Sequence, residues 1–410
     1  KIFPTGCTAT TGSTTVALVV SNNDPVVTMP AAQTICEDVN LTLSTGNSNI
    51  PAIADSDGDT QGVTITVTNG TINLDDVTGL TINNDGSATV SITNDTNATI
   101  ANVNDALDGA VFIPTASFNG TASVQIATND GNGGTDTKSF NITVNTAPNA
   151  TLTLSSDATI CNGATSTITL NSSVSGINYQ LRNDSDDSNV GSVVAGTGGN
   201  ITFDVSPSAS TTYNVLATNA TTSCNAELTD KVTITVNPLP NATLTLSSDA
   251  TICNGTTSTI TLNSSVSGIN YQLRNDSDDS NVGSAVAGTG GNITFDVSPS
   301  ASTTDDVLAP HATTSCNAEL TDKVTITVND VTGGTVGSDQ SITSGNDVAA
   351  FTESVASTGS GTLGFQWQIS TTSASSGFSD ISGATIATYD HGTVTQNTWF
   401  KRITTSAQNS

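Results

Sequence analysis

The sequence predicts an all-β fold of tandem β-sandwich modules, and three observations support this prediction. Residues 149–236 and 241–328 align without a gap at an offset of 92 residues and differ at six positions, which marks an array of whole modules. Short segments of alternating polarity recur between Asn, Asp, Gly, Ser and Pro residues, a pattern typical of strands and turns. Nearly all acidic residues are Asp, which suits turns, whereas Glu, which suits helices, occurs only four times.

Residues 1–23 contain a short apolar run at positions 16–20, which predicts the final strand of a preceding or neighbouring module. The run is far too short to span a membrane, and it lacks the basic flank of a signal peptide. We therefore expect any export signal to lie outside this sequence and predict no membrane insertion in this segment.

Residues 24–146 form a module of a different sequence type. Its alternating runs predict mainly strands and include GVTITVTNGTINL, SATVSITN, TASVQIAT and KSFNITV. Ile100, Val103 and Leu107 instead recur at helical spacing. The sequence therefore predicts one or two turns of helix within an otherwise all-strand module.

The two repeats occupy residues 147–238 and 239–330. Each contains seven short strand-like segments in fewer than 100 residues, which is typical of an immunoglobulin-like sandwich. In the segment KVTITV, the alternation places Val232, Ile234 and Val236 on the core face. In NITFDV, the inward set is Ile201, Phe203 and Val205.

Each repeat carries one pair of cysteines, Cys161 with Cys224 and Cys253 with Cys316, separated by 63 positions in both copies. No CxxC pair or neighbouring His accompanies them in the sequence, so structural disulfides in an oxidising compartment are favoured over zinc or redox sites. We predict one disulfide within each repeat. A closed loop of that size would stabilise a module by roughly 4 kcal/mol in the chain-entropy model.

Residues 331–410 predict a fourth immunoglobulin-like module that lacks its last strand. The N-terminal segment has the spacing of such a strand, because Cys7 precedes Val19 by 12 positions, as Cys224 precedes Val236. We predict that this segment completes a sandwich of the fourth-module type. It would do so either within a longer periodic chain or as a strand donated between subunits of a filament.

Trp367 and Tyr389 are predicted to be core aromatics of the fourth module rather than a ligand platform. Proline stands at three of the four joints between predicted modules, and its fixed φ stiffens a linker. The sequence therefore predicts an extended rod of modules.

Charge and composition restrict the possible functions. Eight Lys and Arg residues stand against 36 Asp and Glu, so the net charge of −28 disfavours nucleic-acid partners and favours cations. The only histidines, His311 and His391, lie in different predicted modules, whereas a catalytic triad needs its groups within hydrogen-bond reach. His311 also replaces Asn219 of the sister repeat. We therefore predict no catalytic residues and no enzymatic activity.

Several motifs resemble repeats of the giant repetitive surface adhesins of Bacteroidetes, the SprB-like gliding adhesins exported by the type IX route. ICNGATSTITLNSSVSGINYQLRN is similar to their immunoglobulin-like unit, and GFQWQISTTSASSGFSDISGATIATYDHGTVTQNTWFKR is similar to another of their repeats. Residues 33–144 resemble a bacterial cadherin-like repeat. The resemblance implies an extracellular, bacterial cell-surface location. The cadherin-like pattern normally has no Cys at the position of Cys36, and relatives of the fourth module often have Cys at the position of Ser344. The pairing of Cys7 and Cys36 therefore stays open.

Alternating carboxylates indicate where a cation would bind. Asp55, Asp57 and Asp59 in ADSDGDTQG are spaced like hard oxygen ligands, and the cadherin-like resemblance favours calcium as the cofactor. Asp24, Asp130 and Asp136 could complete this site, although Asn129-Asp130-Gly131 is equally a good hairpin turn. The acidic loops at 183–187 and 275–279 predict either a weak cation site or a hydrophilic turn.

These expectations combine into a structural and adhesive surface stalk or filament, with a role in attachment or gliding. Its predicted partners are neighbouring modules or subunits of the same protein, together with a surface ligand that the sequence does not identify. The alternative is the noncatalytic stalk of a large secreted hydrolase.

Overall fold

A computed structural model describes residues 21–337 and 339–407. The described residues divide into two compact units, which comprise residues 21–158, 165–206 and 211–234 in the first, and 159–164, 207–210, 235–337 and 339–407 in the second. Strands dominate both units, which confirms the predicted all-β class. No helix in the described chain is long and apolar enough to span a membrane. The predicted strand at positions 16–20 and Cys7 lie outside the described residues.

The first module is built from short strands in which buried and exposed residues alternate. The strands are β1 (Val26–Thr28), β2 (Gln33–Cys36), β3 (Leu41–Thr42), β4 (Ala52–Ala54), β5 (Gly62–Thr68), β6 (Gly70–Asn73), β7 (Ile82–Asn83), β8 (Thr89–Ile92), β9 (Val111–Pro114), β10 (Gly120–Asn129) and β11 (Thr135–Asn145). In β5, Val63, Ile65 and Val67 are buried, as expected for a strand with one face on the core.

These strands form a six-stranded sheet in the order β2-β11-β10-β5-β8-β7, a three-stranded sheet β3-β9-β6, and the pair β1-β4. The inward side chains of the sheets share one core that includes Ile65, Phe112 and Ile126. The first strand of the large sheet, β2, runs parallel to the last strand, β11, and places Cys36 opposite Asn145. Cys36 therefore lies at the end of the module where its chain leaves.

The predicted helical turn is confirmed as α1 (Ile100–Leu107). Thr99 caps it, because its side-chain oxygen accepts a hydrogen bond from the backbone N–H of Asn102 at 3.3 Å. Val103, Ala106 and Leu107 are buried, which explains the apolar spacing that predicted the helix.

The first repeat contains β12 (Ala158–Cys161), β13 (Ser166–Leu170), β14 (Ile177–Asn183), β15 (Val194–Ala195), β16 (Ile201–Val205), β17 (Thr211–Asn219), β18 (Asn225–Glu227) and β19 (Val232–Asn237). One sheet has the order β12-β19-β17-β14-β15 with β18 beside β17, and the other is the pair β13-β16. Ile201, Phe203 and Val205 are buried together with Val232 and Ile234, which confirms these predicted inward positions and the immunoglobulin-like sandwich, whereas Val236 is only half-buried.

The second repeat has the same topology in β20 (Ala250–Cys253), β21 (Ser258–Leu262), β22 (Asn270–Asn275), β23 (Val286–Ala287), β24 (Ile293–Val297), β25 (Thr303–Pro310), β26 (Asn317–Glu319) and β27 (Val324–Asn329). The ladder between β22 and β25 is shorter than that between β14 and β17. Pro310 replaces Thr218 at the end of β25 and supplies no N–H, which accounts for the shorter ladder.

The fourth module contains β28 (Val331–Thr332), β29 (Thr335–Val336), β30 (Glu353–Val355), β31 (Thr358–Gly359), β32 (Thr362–Ser370), β33 (Ser379–Asp380) and β34 (Trp399–Ala407). Its largest sheet has the order β33-β32-β34, and β28-β31 and β29-β30 form separate pairs. Trp367 is fully buried and lies against Phe351 and Tyr389, with ring centroids 5.6 Å apart in both cases. The predicted core role of Trp367 is confirmed.

Candidate functional site

The acidic loops of the first module bring three carboxylates together. Oxygen atoms of Asp55, Asp59 and Asp130 lie within 4.8 Å of one another. Asp55 and Asp59 belong to the loop between β4 and β5, whereas Asp130 lies in the hairpin turn between β10 and β11. Two loops that are distant in sequence thus meet at the same end of the strands β5, β10 and β11.

Asp57, predicted as a ligand with Asp55 and Asp59, lies outside this group. Its carboxylate accepts hydrogen bonds from the backbone N–H of Asn23 at 2.5 Å and from the Asn23 side chain at 2.8 Å. Asp57 therefore stabilises the position of the segment around Asn23, which precedes β1. The third member of the group is Asp130, which the sequence had marked as a residue that could complete the site.

Hydrogen bonds fix the three carboxylates in place. Asn132 donates to Asp59 at 2.8 Å, and Gln61 donates to Asp55 at 2.8 Å. Asp130 is buried and accepts from the Asn22 side chain at 2.7 Å and from the backbone N–H groups of Asn132 and Gly134 at 2.8 and 2.9 Å. The Asn22 hydrogen bond, with help from the backbone N–H groups, lowers the pKa of Asp130.

The two remaining predicted ligands have different surroundings. A Cβ atom at Gly134 would lie 2.3 Å from Asp130 Oδ2 and 2.9 Å from Asp24 Oδ1, so Asp24 closely approaches this turn. Asp136 instead accepts a hydrogen bond from the backbone N–H of Val27 at 2.9 Å. The arrangement offers hard oxygen atoms of the kind that calcium prefers, from Asp55, Asp59 and Asp130 with Asp24 nearby.

The acidic loops of the repeats form ion pairs across the sheet. In the first repeat, Asp187 lies 3.2 Å from Arg182, and Lys231 binds Asp184 at 2.5 Å. The second repeat has the same pairs at Asp279 with Arg274 and at Asp276 with Lys323. In the first repeat, these basic partners favour the hydrophilic-turn interpretation. In the second repeat, carboxylate oxygen atoms of Asp276, Asp306 and Glu319 also lie within 4.8 Å of one another, so the loop takes part in an acidic cluster there.

The disulfides join different modules, so the predicted pairs Cys161–Cys224 and Cys253–Cys316 are wrong. The bonds are Cys36–Cys224 within the first unit and Cys161–Cys316 within the second, each with a Cα–Cα distance of 5.5 Å. Cys253 is an exposed free thiol.

Strand direction explains the error. Cys161 ends β12, which lies beside the last strand β19, and the backbone N–H of Asn162 donates to the carbonyl of Asn237 at 2.9 Å. Cys224 lies in the turn after β17, and β17 is antiparallel to β19. The two cysteines are therefore at opposite ends of the sandwich, on the order of 30 Å apart, which far exceeds the reach of a disulfide.

A shared motif could have revealed the true pairing. Cys36, Cys161 and Cys253 each end the tripeptide Thr-Ile-Cys at the close of a strand that lies beside the last strand of its module. Cys224 and Cys316 share the other position, the turn after the long strand. Each bond joins one cysteine of the first kind to one of the second kind in the next module.

Among the described residues, β34 of the fourth module pairs on one side only. Strands β17 and β25 pair on one side with β14 and β22 and on the other with β19 and β27. In the described residues, the corresponding strand β34 pairs with β32 alone. A cavity of about 590 Å³, bordered by Val348, Phe351, Trp367 and Phe400, opens in the same module. Phe351 and Phe400 remain half-buried there.

The two histidines have local structural roles. Nδ1 of His311 accepts hydrogen bonds from the backbone N–H groups of Thr313 and Thr314 at 3.3 and 3.4 Å, which caps the turn before Cys316. Nδ1 of His391 lies 3.1 Å from the Tyr389 hydroxyl. Both rings thus help to hold a loop.

Comparison with known proteins gives similarities in sequence and fold. A family model described as a domain of unknown function (DUF8696) matches residues 332–410. No curated protein matches the sequence of this chain.

Solved structures similar to this chain are multi-module proteins. The I9–I11 tandem of titin is 10% identical with a TM-score of 0.22, covering 74% of this chain and 100% of that one. A bacterial ice-binding adhesin is 13% identical with a TM-score of 0.24, covering 75% and 100%. Fibronectin(III)-like modules of Clostridium thermocellum CbhA are 11% identical with a TM-score of 0.24, covering 43% and 94%. At these low scores, the assignment of the fold depends on the strand pairing described above.

Proposed function

We propose that this chain is a noncatalytic, extracellular stalk of tandem β-sandwich modules that serves attachment at a bacterial cell surface. The observation that carries the proposal is the bonding of consecutive modules through Cys36–Cys224 and Cys161–Cys316. Disulfides persist in oxidising compartments outside the cytosol. The resemblance to gliding adhesins supports attachment or gliding as the process that the stalk serves.

The positions of the bonds suit a chain that carries tension. Cys36 is paired in register with Asn145, at the point where the first module ends, and it bonds a turn of the next module. A pulling force applied to the chain would therefore pass from module to module through a covalent bond. Unfolding between residues 36 and 316 could then extend the chain only by the segment 161–224, because the two bonds bridge the rest.

Force spectroscopy on the full chain, held at both ends, tests this role. We expect at most about 200 Å of extension between residues 36 and 316 in the oxidised protein, because the shortest covalent path runs through the segment 161–224, and a further gain of roughly 700 Å after reduction. Cys36→Ser should lengthen the oxidised chain. Cys253→Ser is the matched control and should not, since that thiol is free. Equal lengths with and without reductant would reject a load-bearing role for the disulfides.

Calcium is the cofactor that we propose for the first module, held by Asp55, Asp59 and Asp130. The support is the convergence of three carboxylates from two loops, each of which accepts a hydrogen bond from an Asn or Gln side chain. Calcium takes six to eight oxygen ligands, so backbone carbonyls and water would complete its shell. Its role there would be to rigidify the loops at the entrance of the module.

We further propose that a neighbouring copy completes the fourth module by strand donation. Residues 12–20 of the second copy would pair along the open edge of β34 and cover the half-buried Phe351 and Phe400. The copies would then form a head-to-tail filament. Deletion of residues 1–20 should abolish filaments seen by electron microscopy, and filaments that persist without this segment would reject the assignment.

A further inference from the structure

The second repeat brings three carboxylates together beside its long strand, far from the acidic loops of the first module. Oxygen atoms of Asp276, Asp306 and Glu319 lie within 4.8 Å of one another. Asp306 lies in β25, Glu319 lies in β26, and Asp276 directly follows β22. Because β25 pairs with both β22 and β26, the sheet itself holds the three side chains in one place.

One oxygen atom of this cluster is buried and has no partner. The Asp306 side chain is only 1% exposed, and its Oδ1 lies 3.3 Å from Nε of Arg274. Its Oδ2 has no hydrogen-bond partner among the described residues. A buried carboxylate is strongly unfavourable unless it is paired, protonated or bound to a metal ion. Oδ2 of Asp306 therefore requires a proton or a cation.

The first repeat shows where Oδ2 of Asp306 points. Asn214 is the sister residue, and its Oδ1 accepts a hydrogen bond from Nε of Arg182 at 3.3 Å. Oδ1 of Asp306 accepts a hydrogen bond from Nε of Arg274 at the same distance of 3.3 Å. Oδ2 of Asp306 therefore occupies the place of the Asn214 amide nitrogen.

In the first repeat, that amide nitrogen joins two carboxylates. It donates to Glu227 at 2.9 Å and to Asp184 at 3.2 Å. The sister residues of these two are Glu319 and Asp276, the other members of the cluster in the second repeat. Oδ2 thus faces two acidic groups at the point where the first repeat has a hydrogen-bond donor between them.

The basic side chains nearby are already used by other oxygen atoms. Arg274 donates to Glu319 through Nη2 at 2.7 Å and to Oδ1 of Asp306 through Nε. Lys323 pairs with Asp276. Both basic groups have counterparts in the first repeat, so the change from Asn to Asp adds a negative charge without a new positive one. The second repeat therefore has a surplus of carboxylate charge at this place.

We propose that Asp276, Asp306 and Glu319 bind one divalent cation, and that calcium is the ion that suits these ligands. The cluster offers only hard oxygen atoms, and calcium binds such ligands at about 2.4 Å, so that oxygen atoms on opposite sides of the ion are about 4.8 Å apart. The ion takes the place of the Asn214 amide and joins the same carboxylates. Asp276 and Glu319 are partly exposed, which gives the ion a path from solvent. This site is independent of the calcium proposed for the first module.

Hydrogen exchange of the full-length, oxidised protein at pH 7, in calcium chloride or in chelator, tests the site. Calcium should increase the protection of peptides that span β25 and leave those that span β17 unchanged. At a free calcium concentration of 100 times Kd, the opening that exposes β25 should become about 100-fold rarer. The two strands differ in sequence, so their peptides are distinguished by mass and the first repeat is an internal control.

Substitutions in both repeats sharpen the test. Asp306→Asn should abolish the calcium response of β25, and it should fold because the first repeat has Asn at this position. Asp305→Asn is the matched control, since it removes the adjacent buried carboxylate outside the cluster and should keep the response. Asn214→Asp is the reciprocal variant and should create a calcium response in β17. Asp59→Asn should leave the response of β25 intact, which separates this site from that of the first module.

Two results would overturn the proposal. Equal protection of β25 in calcium and in chelator would show that Asp306 is stabilised by a proton rather than by an ion. A calcium response of β25 that survives in Asp306→Asn would place the ion at other ligands. A response that is present in the wild type, lost in Asp306→Asn and gained by β17 in Asn214→Asp is the result that supports the site.

Discussion

The first and second repeats form the same sandwich, yet only the second buries acidic side chains at two positions of its long strand. Tyr213 and Asn214 of the first repeat become Asp305 and Asp306 in the second. Both carboxylates are at least 98% buried in β25, and Asp305 Oδ1 and Asp306 Oδ2 lack hydrogen-bond partners. The strand still pairs with β22 and β27. The comparison shows that strand pairing and the surrounding core hold this topology even where two adjacent side chains oppose it.

At the second of these positions, Asp306 has a carboxylate oxygen where Asn214 has an amide nitrogen, so a hydrogen-bond donor is replaced by a negatively charged acceptor. The Asn214 amide donates to Glu227 at 2.9 Å and to Asp184 at 3.2 Å. Asp306 has no N–H to donate, and it faces Glu319 as a like charge while Arg274 lies 3.3 Å away. The second repeat therefore keeps the arginine but loses the donor that joined the acidic groups.

The largest expected change in stability comes from substitution of Asp305. Asp305→Tyr should stabilise the second repeat by about 2–4 kcal/mol, because it removes a buried, unpaired carboxylate and restores an apolar ring. Hydrogen exchange in the full chain measures this, since the peptides spanning β17 and β25 differ in mass. Tyr213→Asp is the mirror variant and should lower protection of β17 by a similar amount. A neutral result from both changes would contradict the buried placement.

Calcium in the first module should have the next largest effect. At a concentration of 100 times Kd, a bound ion stabilises a module by about 2.7 kcal/mol. Chelation should therefore increase hydrogen exchange in the loops around Asp55 and Asp130 and leave β17 unchanged. Asp59→Asn should reproduce this loss, whereas Asp76→Asn is a control outside the cluster. Unchanged exchange in chelator would rule out a structural ion.

In calcium-free buffer, Asp306→Asn should have a smaller effect of about 1–2 kcal/mol. It restores a donor to Glu319 and removes a like charge, while Arg274 retains Glu319 at 2.7 Å. The reverse change in the first repeat, Asn214→Asp, should reduce the protection of β17 by a comparable amount. If the two variants shift exchange in the same direction, the electrostatic explanation of the difference fails.

The sequence predicted the fold well because strand alternation and the repeat are local signals. It identified the inward faces of β16 and β19 and the α1 helix. It failed at the disulfides, since the direction of β12 relative to β19 is a tertiary property that cysteine spacing does not encode. For the same reason, the sequence marked Asp130 only as one of three residues that could complete the acidic cluster. Asp130 reaches Asp55 through sheet pairing, not through sequence proximity.

The smallest expected effect is a difference in pH dependence between the repeats. Burial raises the pKa of Asp305 and Asp306 above the ordinary value of 3.8, although Arg274 opposes the shift at Asp306. Between that value and the raised pKa, the folded second repeat binds more protons than the unfolded chain, so its stability falls as pH rises through this window. In the first repeat, the hydrogen bond from Lys231 lowers the pKa of Asp184, and the resulting stability is lost as pH falls.

Acidification in calcium-free buffer from pH 7 toward the ordinary Asp pKa of 3.8 should therefore increase the protection of β25 relative to β17, as measured by hydrogen exchange corrected for the intrinsic rate at each pH. Both strands are followed in one molecule, so global changes cancel in their ratio. The Asp305→Tyr/Asp306→Asn double variant removes both buried carboxylates and should bring the pH profile of β25 onto that of β17. A ratio that stays constant in the wild type would show that neither carboxylate changes its protonation on folding. A ratio that still rises in the double variant would show that groups other than Asp305 and Asp306 cause the pH dependence.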